Sequence, residues 1–502
     1  MRRKLVSSPT TTYSSFTSLN STNFQPALNP NDPFYHFLAP PADETPEQRF
    51  AREQSESDAR QMSEEIDENL RAEKAVRRRR RKPVKVLLLG QSESGKSTTL
   101  KNFQLTYAPK AWEETRSSWR SVVQLNLCRT ANAILDLLGE EMKLQSSALS
   151  SSPSLRLSDA HRVLCLRLAP LRHVQRALEA RLGPGVDEAS PSPIGSPVGT
   201  SSSVASSSRL DPQEFFVRSN SGWKAAFERL RGEHVRTAMA GGVQTDDEES
   251  TRVIAGRREE LGQLWRDDAV QEMLERRGRG RGLRLEDGGG FFLDDIDRIA
   301  VPDYVPSDDD IVRARLRTMG VQEHRFVFER GSEQGQEWLM YDVGGTRSHR
   351  AAWAPFFDDT NAILFLAPIS CFDEALAEDS RVNRLEDSFL LWKAVCANKL
   401  LARTMLVLFL NKCDLLERKL AMGNVEFRRY VPSYGTERKN DAESVTKYLK
   451  QKFRDMSKQY SPEPRGFYVH LTSVIDTKAT AITLGAVREG ILRDHLRGAD
   501  FL

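Results

Sequence analysis

Cysteine is scarce in this 502-residue chain: Cys128, Cys165, Cys371, Cys396 and Cys413 are odd in number and none is spaced C-x-x-C. That pattern argues against a disulfide framework or a zinc site and reads as reduced, buried thiols. Long apolar runs are missing too. The longest, such as Val84–Leu89 and Leu406–Leu410, are strand-sized, against the roughly 18 residues of a membrane-spanning helix. No apolar stretch follows the basic start Met1–Leu5, so a secretory leader is not expected and a cytoplasmic compartment is. Neither sign of charge dominates: 73 Lys and Arg face 70 Asp and Glu, a formal net charge of +3, which gives no reason to expect a nucleic-acid partner. What is present, 39% apolar and 28% charged residues, suits a soluble globular protein with polar inserts. At roughly 150 residues per domain the length calls for several units.

Residues 1–44, rich in Ser, Thr, Asn and Pro, show no apolar period and are expected to be disordered. Thr45-Pro46-Glu47-Gln48 then combines an N-cap, a proline at the first helical position and a glutamine at N3. Ala59, Met62, Ile66 and Leu70 recur at helical spacing, which predicts an amphipathic helix to about Val76. It leads into six basic residues, Arg77–Lys82, either a solvated face or a contact for anionic lipid or an acidic protein. Val84–Leu89 reads as a buried parallel strand. Helical pattern covers Trp119–Leu138, Pro212–Leu230 and Arg257–Leu274, interrupted by low-complexity loops at about 146–154 and 183–211. The Arg276–Arg284 stretch with its interleaved glycines has the composition of an RNA-binding segment but reads better as a solvated loop. Phe326–Phe328 and Trp338–Tyr341 flank a polar turn and predict a hairpin. Further strands are expected at Ala362–Ala367, Met405–Leu410 and Phe467–Leu471, separated by helices at Leu376–Leu400, Ala442–Tyr460 and Ala479–Leu496. This alternation gives an α/β class: a mostly parallel sheet with helices on both faces and one antiparallel edge pair.

The chemistry is carried by three motifs. Gly90–Ser97 fits G-x-x-x-x-G-K-[ST] between a strand and a helix, the setting in which backbone N–H groups wrap phosphates. There Lys96 supplies a point charge and the Ser97 hydroxyl coordinates magnesium. A phosphate loop alone leaves ATPase, kinase and GTPase open. Asn411-Lys412-Cys413-Asp414, at the carboxyl end of a strand, favours guanine, because the Asp414 carboxylate can accept from both N1–H and the exocyclic N2–H, and adenine has no such donor pair on that edge. In Asp342-Val343-Gly344-Gly345, Asp342 ends a strand where it can hold magnesium through water, and the Gly345 N–H can meet a γ-phosphate.

On these motifs the chain resembles the alpha subunit of heterotrimeric G proteins over about residues 84–138 and 257–502. The specific stretches are Leu87–Thr98, Phe291–Ile299, Asp310–Gly320, Leu376–Arg384, Phe409–Leu415 and Thr472–Thr477. The resemblance implies a Ras-like P-loop GTPase domain, residues 83–100 and 310–502, interrupted by an inserted all-α helical domain, residues 101–309. It implies a signalling switch that binds GTP and GDP with Mg2+ and acts downstream of a seven-helix receptor, which would meet the C-terminal helix ending at Arg497–Leu502. A G-protein beta-gamma dimer and an effector would be further partners. Gly90, Glu93, Ser94, Gly95, Lys96, Ser97, Thr98, Arg313, Gly345, Asn411, Lys412, Asp414 and Val474 would contact the nucleotide, and Ser97, Thr318 and Asp342 the metal. Arg315 falls at the position of the arginine supplied in cis, with Glu93 reaching toward it, and Asp476 and Thr477 in the second guanine-side loop.

The chain departs from the family's pattern in several places. Thr346 stands where the family carries the glutamine that orients the attacking water, so Thr346 and Arg315 are the catalytic candidates and slow hydrolysis is expected. Ser92 replaces a phosphate-loop glycine, and Val474 a small alanine. Ala351 and Ala352 replace two lysines before Trp353, which alters the face for the beta-gamma dimer. Residue 2 is arginine and no early cysteine exists, so N-terminal lipidation is not expected, and attachment at the inner face of the plasma membrane would be peripheral. A non-cycling, nucleotide-bound scaffold is the rival reading. Asp414→Asn should lower GTP affinity by roughly 1–3 kcal/mol, the cost of a charged hydrogen bond left unmade, and favour xanthine nucleotides. Competition binding with GTP and xanthosine triphosphate checks it, and unchanged GTP affinity would refute the guanine assignment.

Overall fold

The computed structural model describes residues 44–79, 83–146, 157–182, 216–217, 246–278, 289–318, 320–329, 334–376, 378–423 and 425–498. The segment expected to be disordered (except residue 44), the two low-complexity loops (except Ser146), Arg80–Lys82 and the last four residues lie outside them. Residues 1–81 and 82–502 form two units.

The first unit is helix α1, Pro46–Arg79. Its capping box is the one predicted: the Thr45 N–H donates to Gln48 Oε1 (3.1 Å) and the Gln48 N–H to Thr45 Oγ1 (3.4 Å). The helix runs three residues past Val76, into the basic run. Met62, Ile66 and Leu70 are 64%, 53% and 55% exposed, an apolar stripe within this unit facing solvent.

The second unit is built on a six-stranded sheet. Its strands are β1 (Val84–Gly90), β2 (Val321–Val327), β3 (Glu337–Val343), β4 (Ala362–Pro368), β5 (Met405–Asn411) and β6 (Phe467–Thr472). The spatial order is β2-β3-β1-β4-β5-β6, and every pair is parallel except the β2–β3 hairpin. Alternate residues of β1 feed two cores. Val86 and Leu88 join Leu100 and Phe103 of α2 (Lys96–Tyr107) and Leu484 and Val487 of the C-terminal helix Thr477–Gly498. Leu87 and Leu89 join Leu385 and Trp392 of the helix Arg384–Ala397, and Leu449 and Phe453 of the helix Ala442–Tyr460. A central strand buried on both faces reads as a continuous apolar run, which is why β1, β4 and β5 were legible.

The insertion is helical: α3 (Trp119–Ser146) packs against α4 (Leu171–Leu182) through residues such as Ile134, Leu138, Val174 and Leu178. α2 runs through the expected boundary after residue 100, and α3 runs eight residues past Leu138. The expected helix Arg257–Leu274 divides into α5 (Arg258–Arg266) and Asp268–Met273, because Asp267 is extended and its carboxylate caps the second piece by accepting from the Val270 N–H. Arg276–Gly278 close a short π-helical turn, and the rest of the Arg276–Arg284 stretch lies outside the described residues. Of the helix expected at Pro212–Leu230, only Phe216–Val217 are described. They form a strand parallel to Arg317–Thr318, so a helix does not cover them.

Two further expectations are corrected. The helix expected from Leu376 begins only at Arg384, because the Asn383 side chain caps it by accepting from the Leu385 and Glu386 N–H groups. It ends at Ala397, where Asn398 is extended. β2 starts at Val321, five residues before the predicted strand, because its inward positions include the polar Gln322 and His324, which an apolar pattern does not reveal. The cysteines carry no disulfide, and Cys165 and Cys413 are only half-buried.

One buried cation ties α2 to the insertion. Lys101, 2% exposed, donates from Nζ to the carbonyls of Ile311 (2.9 Å) and Ala314 (2.5 Å), at the end of α6 (Asp308–Arg313), and lies 4.4 Å from the centre of the Trp119 ring. Burial pulls its pKa down to about 7, against the pull of the Asp342 carboxylate. Between that value and its ordinary 10.5 the unfolded chain holds a proton that the folded chain lacks. The contribution of Lys101 to stability should therefore rise with pH across this window, by up to about 1.4 kcal/mol per pH unit. Urea unfolding of the wild type and Lys101→Met at pH 7 and pH 9 checks it: the difference should move toward the wild type at pH 9, and an unchanged difference would contradict it.

Candidate functional site

The loop after β1 is shaped by two constraints. Glycine is required at Gly95 (φ 101°), because a Cβ there would lie 2.4 Å from Asn411 Nδ2. α2 starts at the next residue, so its first N–H groups open onto the pocket at the positive end of the helix. Lys96, 6% exposed, donates to the Gly90 (3.0 Å) and Gln91 (2.7 Å) carbonyls, which hold its ammonium against the loop. Burial lowers its pKa to about 8, with Asp342 opposing.

The base-side residues converge on Asn411 at the end of β5. Its Nδ2 donates to the Ser94 carbonyl (2.8 Å), and its Oδ1 accepts from the Val474 N–H (3.2 Å) and the Thr472 hydroxyl (3.1 Å). Lys412 takes a left-handed φ of 66° and turns the chain into α8, counting α7 as Arg384–Ala397 and α8 as Cys413–Ala421. Asp414 Oδ1 accepts from the Ser473 hydroxyl (2.7 Å), which fixes the carboxylate beside the loop containing Val474. Asp476 and Thr477 do not line the pocket: Asp476 accepts from the Ala479 N–H and caps the helix that Thr477 begins.

Two hard oxygen donors meet where a divalent cation would bind, with the Ser97 hydroxyl donating to Asp342 Oδ2 at 2.5 Å. Among the described residues no group of three or more His, Cys, Asp or Glu forms a metal cage. This donor set suits a hard cation such as Mg2+ that takes its other ligands from phosphates and water. Thr318 continues the backbone strand after Arg315, and its side chain is outside the described set. Arg315 pairs with Glu93 across the mouth of the pocket, and Glu93 also faces Arg384 at 3.4 Å.

One pocket joins these parts. Glu93, Gly95, Lys96, Ser97 and Thr98 line it from the phosphate loop, Arg313 from the last turn of α6 and Arg315 from the linker after it. Gly345 and Thr346 line it after β3, and Asn411, Lys412, Asp414 and Val474 on the base side. Gly90, Ser94 and Asp342 stand behind this lining and are bonded to it. Gly345 is pressed on the phosphate loop: a Cβ there would lie 2.2 Å from the Ser92 nitrogen. Thr346, 6% exposed, follows it and leads into a 3-10 segment, Arg347–Phe356.

Sequence reasoning missed Gln91, Arg350 and Asp387, which brace this pocket from behind, and Lys101, which is part of its lining. Gln91 occupies one of the unspecified positions of the loop motif, and nothing in a linear pattern links it to residue 387. Arg384 lay within a quoted stretch, but its bond to the Ser92 carbonyl (2.9 Å) is likewise invisible in one dimension.

A family model described as the G-protein alpha subunit matches residues 60–491. The guanine nucleotide-binding protein alpha-4 subunit of Mycosarcoma maydis is 31% identical, over 94% of this chain and 95% of its own length. The alpha-16 subunit of Caenorhabditis elegans is 28% identical over 88% of this chain and 97% of its own, and the alpha-2 subunit of Neurospora crassa 28% over 87% and 94%. With a Ras-like sheet, a helical insertion and a pocket assembled from the phosphate and base loops, this chain belongs to the G-protein alpha subunit family, the guanine nucleotide-binding GTPases of signal transduction.

Proposed function

We propose that this alpha subunit is a switch with slow intrinsic GTP hydrolysis, in which the lifetime of the triphosphate state is set by factors other than its own chemistry. The observation that carries the reading is Thr346, which lines the pocket directly after Gly345 with a side chain two heavy-atom bonds shorter than a glutamine's. Lys96 and the α2 N-terminus would hold the phosphates, Asp414 the guanine edge, and Arg315 the charge developing on the transferring phosphoryl. Ser97 and Asp342, with Thr318, are the residues to hold Mg2+, which would supply charge neutralisation at the phosphates. Asn411 would position both loops and leave the base contact to Asp414. What this set lacks is a long amide to orient the attacking water: the Thr346 hydroxyl can reach it only through a second water, and Ser92 adds bulk to the loop.

Upstream, the reading includes a seven-helix receptor at the C-terminal helix. Downstream it includes an unidentified effector. A beta-gamma dimer would meet the 3-10 segment, where Ala351 and Ala352 are exposed and offer methyl groups in place of lysine ammoniums. No described helix is long and apolar enough to cross a membrane, and peripheral attachment through α1 and its basic run is part of the same proposal.

An alpha subunit with its arginine in cis hydrolyses GTP at about 10⁻² s⁻¹. Single-turnover hydrolysis of bound GTP by the wild type should be at least tenfold slower, equivalent to roughly 1.4 kcal/mol or more in the barrier, and Thr346→Gln should recover much of the loss. A wild-type rate near the family value would mean that another residue orients the water, and the slow-switch reading would fall.

A further inference from the structure

Arg315 lines the mouth of the pocket with a side chain that is 43% exposed. A long guanidinium arm so little enclosed by packing takes its direction largely from where its backbone is held. Asn126, in α3 of the insertion, holds that backbone. Its Oδ1 accepts from the Arg315 N–H at 2.9 Å, and its Nδ2 donates to the Arg315 carbonyl at 3.1 Å. The other Nδ2 hydrogen goes to the Val122 carbonyl at 2.8 Å, one turn back in α3, which fixes the plane of the amide.

A grip on both the N–H and the C=O of one residue fixes the peptide planes on either side of its Cα, and so the direction in which the side chain leaves the chain. A single bond would leave one of those planes free to turn. The plane before Arg315 is held a second time, because the Ala314 carbonyl accepts from Lys101 Nζ at 2.5 Å. The base on which Asn126 is mounted is rigid: Val122, Val123, Leu125 and Leu127 beside it in α3 are fully buried in the core. Asn126 does not line the pocket, and 189 residues separate it from Arg315.

We propose that Asn126 is a positioning residue for GTP hydrolysis: by gripping both backbone groups of Arg315 it aims the guanidinium into the pocket, so that the chemical step depends on an insertion residue outside the pocket lining. This role rests on the assignment of Arg315 to the charge developing on the transferring phosphoryl. A fixed charge acts on that step only when it is delivered to one place, and a misplacement of about 1 Å can cost roughly 10²-fold in rate. The groups that would hold the nucleotide itself, Lys96, Ser97 and Asp414, are fixed by other partners. Loss of the grip should therefore lower the rate and spare the affinity.

Asn126→Leu keeps the branched shape of the side chain and removes both bonds to Arg315, and Asn126→Ala removes the bonds and the volume together. The full chain carrying each is compared with the wild type, with Arg315→Ala and with Arg315→Ala combined with Asn126→Leu. Single-turnover hydrolysis of bound GTP with Mg2+ and equilibrium affinity for GTPγS are measured. Both Asn126 variants should hydrolyse GTP roughly tenfold more slowly or worse. Their GTPγS affinity should stay within about twofold of the wild type, the signature of a group felt only in the transition state. In the Arg315→Ala background, where no guanidinium is left to aim, Asn126→Leu should change the rate by no more than about twofold. Three results overturn the aiming role: wild-type rates in both Asn126 variants, the same slowing with and without Arg315, or affinity that falls in step with rate. Failure of the underlying assignment looks different, since Arg315→Ala at the wild-type rate would take the guanidinium out of the chemistry and the aiming role with it.

Discussion

The site depends on one buried amide. Asn411 donates to the Ser94 carbonyl and accepts from the Val474 N–H, so the phosphate loop and the second base-side loop are fastened to the end of β5 by a single side chain. It also dictates the glycine at Gly95, whose missing Cβ leaves the space that Asn411 Nδ2 fills. Because a buried amide left half-satisfied costs more than a neutral hydrogen bond contributes, this arrangement is formed as a whole or not at all. Loops from opposite ends of the sequence thereby acquire a fixed separation, which a rigid bicyclic ligand such as a nucleotide base requires.

Around that fastening the protein uses buried charge in two ways. Asp387 accepts from Gln91 and Arg350, whereas Lys101 donates to two backbone carbonyls and lies against the Trp119 ring. The second arrangement leaves an ammonium whose proton is held less firmly than usual, because burial lowers its pKa to about 7. Asp387 sits behind the pocket, whereas Lys101 is part of its lining.

How much of this was legible in the sequence follows from where the information lies. β1, β4 and β5 announced themselves because strands buried on both faces are continuous apolar runs, and the helix at Ala442–Tyr460 was read with its observed ends, although its cap, the Asp441 side chain accepting from the Ser444 N–H, was not. The pocket residues were legible because phosphate and base recognition demand fixed residue types at short spacing. The stretch around Leu376 misled because its apolar spacing mimicked a helix, while the cap at Asn383 that starts the real one acts through a side-chain bond. Gln91, Asp387 and Lys101 escaped because each acts on a partner about two to three hundred residues away, a relation that no local pattern encodes.

The length of α2 has a mechanical meaning. Lys96, at its first turn, grips the phosphate loop, and Lys101, little more than one turn later, grips the carbonyl of Ala314, the residue that precedes Arg315. A helix of this kind rises about 1.5 Å per residue and resists bending over such a span, so the two grips move as one body. Sliding or twisting α2 therefore acts as a crank: it cannot shift the loop after β1 without also moving the chain at Arg315, and the spacing between the two is kept by a single stiff shaft.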